Sequence, residues 1–196
     1  MRFRLGQVAE IRTGYAFRGA VDRTKKGDRL LVQMSDFNPL RDGCFESVGR
    51  TDLSIRSDEW LLQEGDILIK ARGSDSFPLM VPKELDGALF THPLVRLRTS
   101  RNGLFPEFLF WLLSKSKVQK QICQFSAGTV AKMLNLKHLK SLEIEVPPLS
   151  CQQKVKELLE LLKEEEGLQR QYVAKKKQYV SGLIENLINV GEKNER

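Results

Sequence analysis

The residues best suited to chemistry in this chain are cations on loops. Lys70-Ala71-Arg72-Gly73-Ser74-Asp75-Ser76 gathers two cations, a glycine and two hydroxyls directly after the apolar run Ile67-Leu68-Ile69. An unbroken run of that kind reads as a buried strand, so the loop leaves a fixed point in the core. Backbone N–H groups, hydroxyls and cations at such an exit suit a phosphate oxygen, although a plain solvated loop has the same composition. Tyr15-Ala16-Phe17-Arg18-Gly19 is a second aromatic–basic loop, with an anchor onto the core as its plainer reading.

Catalytic signatures are missing. The two histidines, His92 and His138, and the three cysteines, Cys44, Cys123 and Cys151, stand at no metal-ligand spacing. Nothing matches a nucleotide-hydrolase phosphate loop or a Gly-x-Gly-x-x-Gly after a strand. The Asn/Asp-Pro-Pro-aromatic motif with which an amino-methyltransferase grips its target nitrogen is also absent. Asp36 or Asp66 beside a lysine imitates a nuclease carboxylate site, but among 25 acidic residues one such coincidence is unremarkable. The expectation is a chain with no catalytic residue, metal or cofactor of its own. A small DNA-cleaving enzyme is the rival reading, and a standalone DNA-binding regulator is a third.

The net charge of +7 is unevenly spread: the 32 basic residues divide as 23 and 9 across position 148, the 25 acidic ones as 17 and 8. The excess therefore sits on the first 148 residues, a length suited to one globular domain, and nucleic acid is a natural, salt-sensitive partner for it. No apolar run reaches membrane-spanning length, and Met1-Arg2-Phe3-Arg4 lacks the apolar core of a signal peptide. Three scattered cysteines fit reduced thiols in a cytoplasm.

Several elements must position the loops. Leu5 to Ile11 reads as a short helix ended by Thr13-Gly14, and Leu30 to Met34 as a strand before turn chemistry at Ser35-Asp36-Phe37-Asn38-Pro39. Ala88 to Thr91 and Leu94 to Arg98 read as strands, Pro106 as the first residue of a helix reaching Phe125, and Leu142 to Val146 as a strand stopped by Pro147-Pro148. The order has no regular βαβ beat, which predicts an α+β mixed-sheet domain over 1–148.

From 149 to 190 the pattern changes. Val155, Leu159, Leu162, Val173, Val180, Leu183, Leu187 and Val190 recur at alternating four- and three-residue steps, flanked by Leu158, Leu161, Leu168, Tyr172 and Tyr179. This predicts one long helix whose broad apolar face needs a partner, with a disordered tail over 191–196. Gly167 and Gly182 weaken it, and the alternatives are a helix folding back on its own domain or a hairpin at Gly167.

Arg4-Leu5-Gly6-Gln7-Val8-Ala9-Glu10-Ile11, Gly14-Tyr15-Ala16-Phe17-Arg18 and Leu31-Val32-Gln33-Met34-Ser35-Asp36 resemble the start of a target-recognition domain. Gly65 to Ser74, Ser126-Ala127-Gly128-Thr129 and Ile144-Glu145-Val146-Pro147-Pro148-Leu149 continue the match in order. The chain resembles the specificity subunit of type I restriction-modification systems, over essentially its whole length. That subunit carries two recognition domains and two long helices; this chain has one of each and looks like a half-subunit. Leu149-Ser150-Cys151-Gln152-Gln153 also departs from the family, which usually has an acidic residue before the glutamine.

The resemblance implies double-stranded DNA as ligand, and docking of a methyltransferase subunit with or without a restriction subunit. Within such a domain, residue type favours Arg12, Arg18, Lys70, Arg72, Ser74 and Lys132 for phosphates, and Gln33, Asn38, Arg41 and Asp75 for base edges. Gly73 would let backbone approach DNA, as would Gly128 and Thr129, whose plainer reading is a turn of the chain. The helix carries Glu164-Glu165-Glu166 and Lys175-Lys176-Lys177, and positions 165 and 176 are centred on the same point as the stretch 151–190. A parallel dimer opposes like charges, whereas an antiparallel one sets Glu165 against Lys176 of the other copy. The expectation is an antiparallel homodimeric coiled coil reading two inverted half-sites around a fixed spacer.

Overall fold

Ile67, Leu68 and Ile69 are fully buried, and the strand they form is the interior of the largest sheet. The computed structural model describes all residues except 18–25, 47, 53–57, 74–76, 101–102, 125, 128–132 and 195–196; of 126–127 and 188–194 it describes the backbone only. In chain order the elements are β1 (Arg2–Arg4), α1 (Leu5–Val8), β2 (Ala9–Thr13), β3 (Arg29–Val32), α2 (Phe37–Arg41), β4 (Gly49–Thr51), β5 (Ile67–Lys70), β6 (Leu79–Met80), β7 (Leu89–Phe90), β8 (Leu94–Thr99), α3 (Pro106–Ser114), α4 (Ser116–Gln124), β9 (Ser126–Ala127), β10 (Met133–Leu134), α5 (Leu136–Ser141), β11 (Glu143–Glu145) and α6 (Leu149–Asn194).

The chain divides into two compact units, Met1–Gln153 and Lys154–Arg196. In the first, an antiparallel sheet β2-β8-β5-β6 lies beside a mixed sheet β4-β3-β7 in which β3 and β7 are parallel. Mixed sheets with a long C-terminal helix make the fold α+β, as the element order predicts. Val32, Phe37, Leu40, Leu68, Phe90 and Leu94 form a core shared by both sheets and α2. The unit is closed by β1 pairing with β11, Phe3 opposite Ile144.

Three local readings give way to tertiary context. The first helix stops at Val8, and Ala9–Thr13 becomes a strand against β8, burying Ala9 and Ile11 on alternate positions. It ends at Gly14, where a Cβ would lie 2.3 Å from the Thr91 carbonyl carbon, so only glycine lets the two backbones touch. The helix from Pro106 breaks at Lys115, whose ψ of 134° is extended, and restarts as α4. The turn chemistry at Ser35–Pro39 folds as a short 3-10 turn, Met34–Asp36, running into α2. Asn38 is helical although it precedes Pro39, against the usual steric preference; burial of Phe37 and Leu40 overrides it.

The long helix is unbroken. α6 passes through Gly167 and Gly182 without a hairpin, because one glycine costs only about 1 kcal/mol in a helix this long. Its backbone runs on to Asn194. Its 46 residues span about 70 Å at 1.5 Å per residue.

Candidate nucleic-acid interface

α2 lies across the exit of β5 and brings three of the expected contact residues to one surface. Asn38 and Arg41 are exposed on the helix, while the Lys70 ammonium donates to Asn38 Oδ1 at 3.4 Å and lies 5.2 Å from the Phe37 ring centroid. Arg72 follows two residues on and is exposed, its backbone held by an antiparallel bridge to Met133 and by the Leu134 N–H donating to the Ala71 carbonyl at 2.7 Å. Gly73 has φ +107°, a conformation that side chains disfavour, so a residue with a Cβ would re-aim the loop. Sequence reasoning missed Phe77: it is 37% exposed and carries the Arg41 guanidinium 5.4 Å from its ring centroid. Met34, Phe45 and Met133, each 36–39% exposed, lie in the segments that border α2 or pair with Arg72. Cations interleaved with exposed apolar side chains suit a groove that offers both phosphates and base edges.

Gln33 lies at the entry to this helix, its N–H donated to Asp36 Oδ2 at 2.8 Å. Arg12 stands apart. On β2 its guanidinium bridges two carboxylates, Glu10 and Glu59. It belongs to an ionic ladder across β2, β8 and the turn that leads into β5. Arg98 forks onto Asp66, with Nε–Oδ1 and Nη2–Oδ2 both 2.7 Å, and Arg96, 1% exposed, donates to the Glu59 and Leu61 carbonyls and to Glu10 Oε1. Burial pushes the Glu10 carboxyl up, but the hydrogen bond from Arg12 and the fields of Arg96, Arg12 and Arg98 outweigh it and leave it below the usual carboxylate range. Burial pushes the Arg96 guanidinium down, and the Asp66 hydrogen bonds push Arg98 up.

The carboxylates that imitate a nuclease site do other work. Asp36 and Asp66 are 2% and 1% exposed and accept the backbone N–H groups of Gln33 and Gln63. Among the described residues no group of histidine, cysteine and carboxylate side chains is arranged to hold a metal ion. Tyr15 and Phe17 form an anchor: Tyr15 meets Phe17 and Trp60 edge-on at 4.7 and 5.0 Å, and its backbone pairs with Phe90 and His92. Arg18, Ser74, Asp75, Gly128, Thr129 and Lys132 lie outside the described residues.

On α6 the expected seam is solvent-exposed. Leu162, Val173, Val180 and Leu183 are 44–49% exposed and Leu187 74%, with Glu165 and Lys176 also exposed and Val155 and Leu159 half-buried. At the start of the helix, Gln152 is fully buried, a residue whose role the sequence did not reveal. Its Oε1 accepts the Phe105 N–H at 3.0 Å, and its Nε2 donates to the Gly103 and Pro147 carbonyls at 2.9 and 3.0 Å. Every polar atom of the amide is used, which fixes where α6 begins. Among the described residues no helix is long and apolar enough to cross a membrane.

The family model described as type I restriction modification DNA specificity domain matches residues 1–171. No curated protein matches the chain. Among solved structures, the S subunit of a type I restriction-modification system from M. genitalium is 16% identical, with a TM-score of 0.50 over 74% of this chain and 33% of that one. The HsdS subunit from Thermoanaerobacter tengcongensis is 20% identical, with a TM-score of 0.59 over 87% of this chain and 44% of its own. A structure described as the basis of complex assembly and conformational transition of the type I R-M system gives 20% and 0.60, over 87% and 40%. These likenesses establish the shared fold, and the chain spans less than half the length of each.

Proposed function

We propose, for a chain that belongs to the type I restriction modification DNA specificity domain family, that it reads a short DNA sequence through the α2–β5 face. It acts as a half-length specificity subunit without catalysis of its own. The family match across 1–171 carries this reading, since it takes in both the recognition unit and the first half of α6. Arg41, Arg72 and the backbone at Gly73 meet the duplex, supported by the exposure of all three and by the packing of Arg41 over Phe77. Ser74 and Asp75 continue that loop in sequence; Arg18, Gly128, Thr129 and Lys132 are further contacts expected from residue type.

Two copies pair through α6 in antiparallel fashion, Glu165 of one copy facing Lys176 of the other. Each exposed pair contributes only about 0–1 kcal/mol, so charge sets direction while apolar burial at about 25 cal/mol/Å² holds the dimer. The half-exposed leucines and valines of α6 support an occupant of that kind. The dimer brings a methyltransferase subunit, with or without a restriction subunit, to two inverted half-sites on cytoplasmic DNA. Selection from a random duplex pool by the full chain tests this. Two inverted motifs at fixed spacing are expected; no enriched motif contradicts recognition, and a single half-site contradicts the dimer.

A further inference from the structure

Lys70 differs from the other cations of the α2–β5 face in depth. Arg41 and Arg72 are exposed, whereas Lys70 is half-buried. Its Nζ meets α2 at two consecutive residues: 5.2 Å from the ring centroid of Phe37, itself fully buried, and 3.4 Å from Asn38 Oδ1. A cation held against a buried ring and an amide oxygen is poorly placed to follow a phosphate. The amide it touches is exposed.

A primary amide has one acceptor end and one donor end, and an ammonium can face only the oxygen. Lys70 therefore selects one of the two orientations of the Asn38 amide. The second Oδ1 lone pair and the Nδ2 hydrogens stay available to a ligand. That fixed acceptor–donor pair matches the N6 donor and N7 acceptor of adenine in the major groove, and mismatches guanine, which presents two acceptors there.

We infer that Asn38 reads an adenine and that Lys70 is its positioning residue, not a phosphate contact. This rests on the DNA-reading role proposed above. The test titrates the duplex selected by the wild-type chain, and versions with each base pair replaced in turn, across a salt series. The full chain carries Asn38→Ala, Lys70→Met (which keeps an apolar stem over Phe37) or Lys70→Arg. Asn38→Ala should lose between about 5- and 150-fold of discrimination at one A·T pair. Lys70→Met should lose discrimination at the same pair with an unchanged salt slope, and Lys70→Arg should restore it. Uniform weakening on every duplex with a salt slope lower by about one would make Lys70 a phosphate contact and overturn the inference. So would discrimination lost at another pair, or at none. Asn38 is exposed, so its variant decides the matter if Lys70→Met does not fold. A wild-type chain that prefers no duplex at all would instead overturn the DNA-reading role itself.

Discussion

At the scale of single residues, cations of similar type have separate fates, and neighbours decide which. Arg12 is taken by Glu10 and Glu59, Arg96 is buried among carbonyls, and Lys70 is held against Phe37 and Asn38. Arg72 stays exposed at the strand exit, so it is the cation whose loss should be felt by phosphates alone. Arg72→Ala is expected to weaken binding to all duplexes about equally and to reduce the salt slope by about one, measured by titration at several salt concentrations. An unchanged slope would remove Arg72 from the interface. None of this sorting is legible locally, because the deciding partners are distant in sequence: Glu59 is 47 residues from Arg12 and Asp66 is 32 from Arg98. Gln152 is hidden for the same reason, its partners Gly103 and Phe105 lying nearly fifty residues upstream. Gln152→Ala orphans one N–H and two carbonyls and should cost about 2–4 kcal/mol in a urea unfolding measurement.

At the scale of elements, strong local signals survive and weak ones are overruled. The Ile67-Leu68-Ile69 strand, the helix opened by Pro106 and the strand before Pro147-Pro148 were all readable from the chain, since apolar runs and prolines act locally. α2 was not, because Asn38-Pro39 favours a turn and only the buried Phe37 and Leu40 make it a helix. The consequence bears on the proposed interface, since that unforeseen helix carries Asn38 and Arg41. β2, β8 and the turn that leads into β5 are tied by the ladder of Glu10, Arg96, Arg98 and Asp66, and this tie should be pH-dependent. The folded Glu10 carboxyl lies below its ordinary value, so its contribution is present above the unfolded carboxylate value, near about 4.3, and is lost as pH falls through the folded one. Glu10→Gln should therefore lower the urea midpoint at pH 7, and its gap to wild type should close as pH falls below the ordinary glutamate value of about 4.3. Glu10 is partly exposed, so the gap will be modest. A gap that widens in acid would contradict the ladder's sign.

At the scale of the whole molecule, one specificity-domain unit leads into one long helix whose apolar side chains are exposed. The helix was readable from its repeat alone, and its length and exposure agree with that reading. The charge blocks Glu164–Glu166 and Lys175–Lys177 share one centre with the helix, so a second copy is the proposed occupant and an inverted, split DNA site the proposed consequence. The most direct measurement is a map of methylated bases in the host genome with the chain present and after its deletion. Deletion should erase methylation at one motif made of two inverted half-sites with a fixed spacer, and re-expression should restore it. A methylation map unchanged by deletion, or a lost motif with two unrelated halves, would contradict the account.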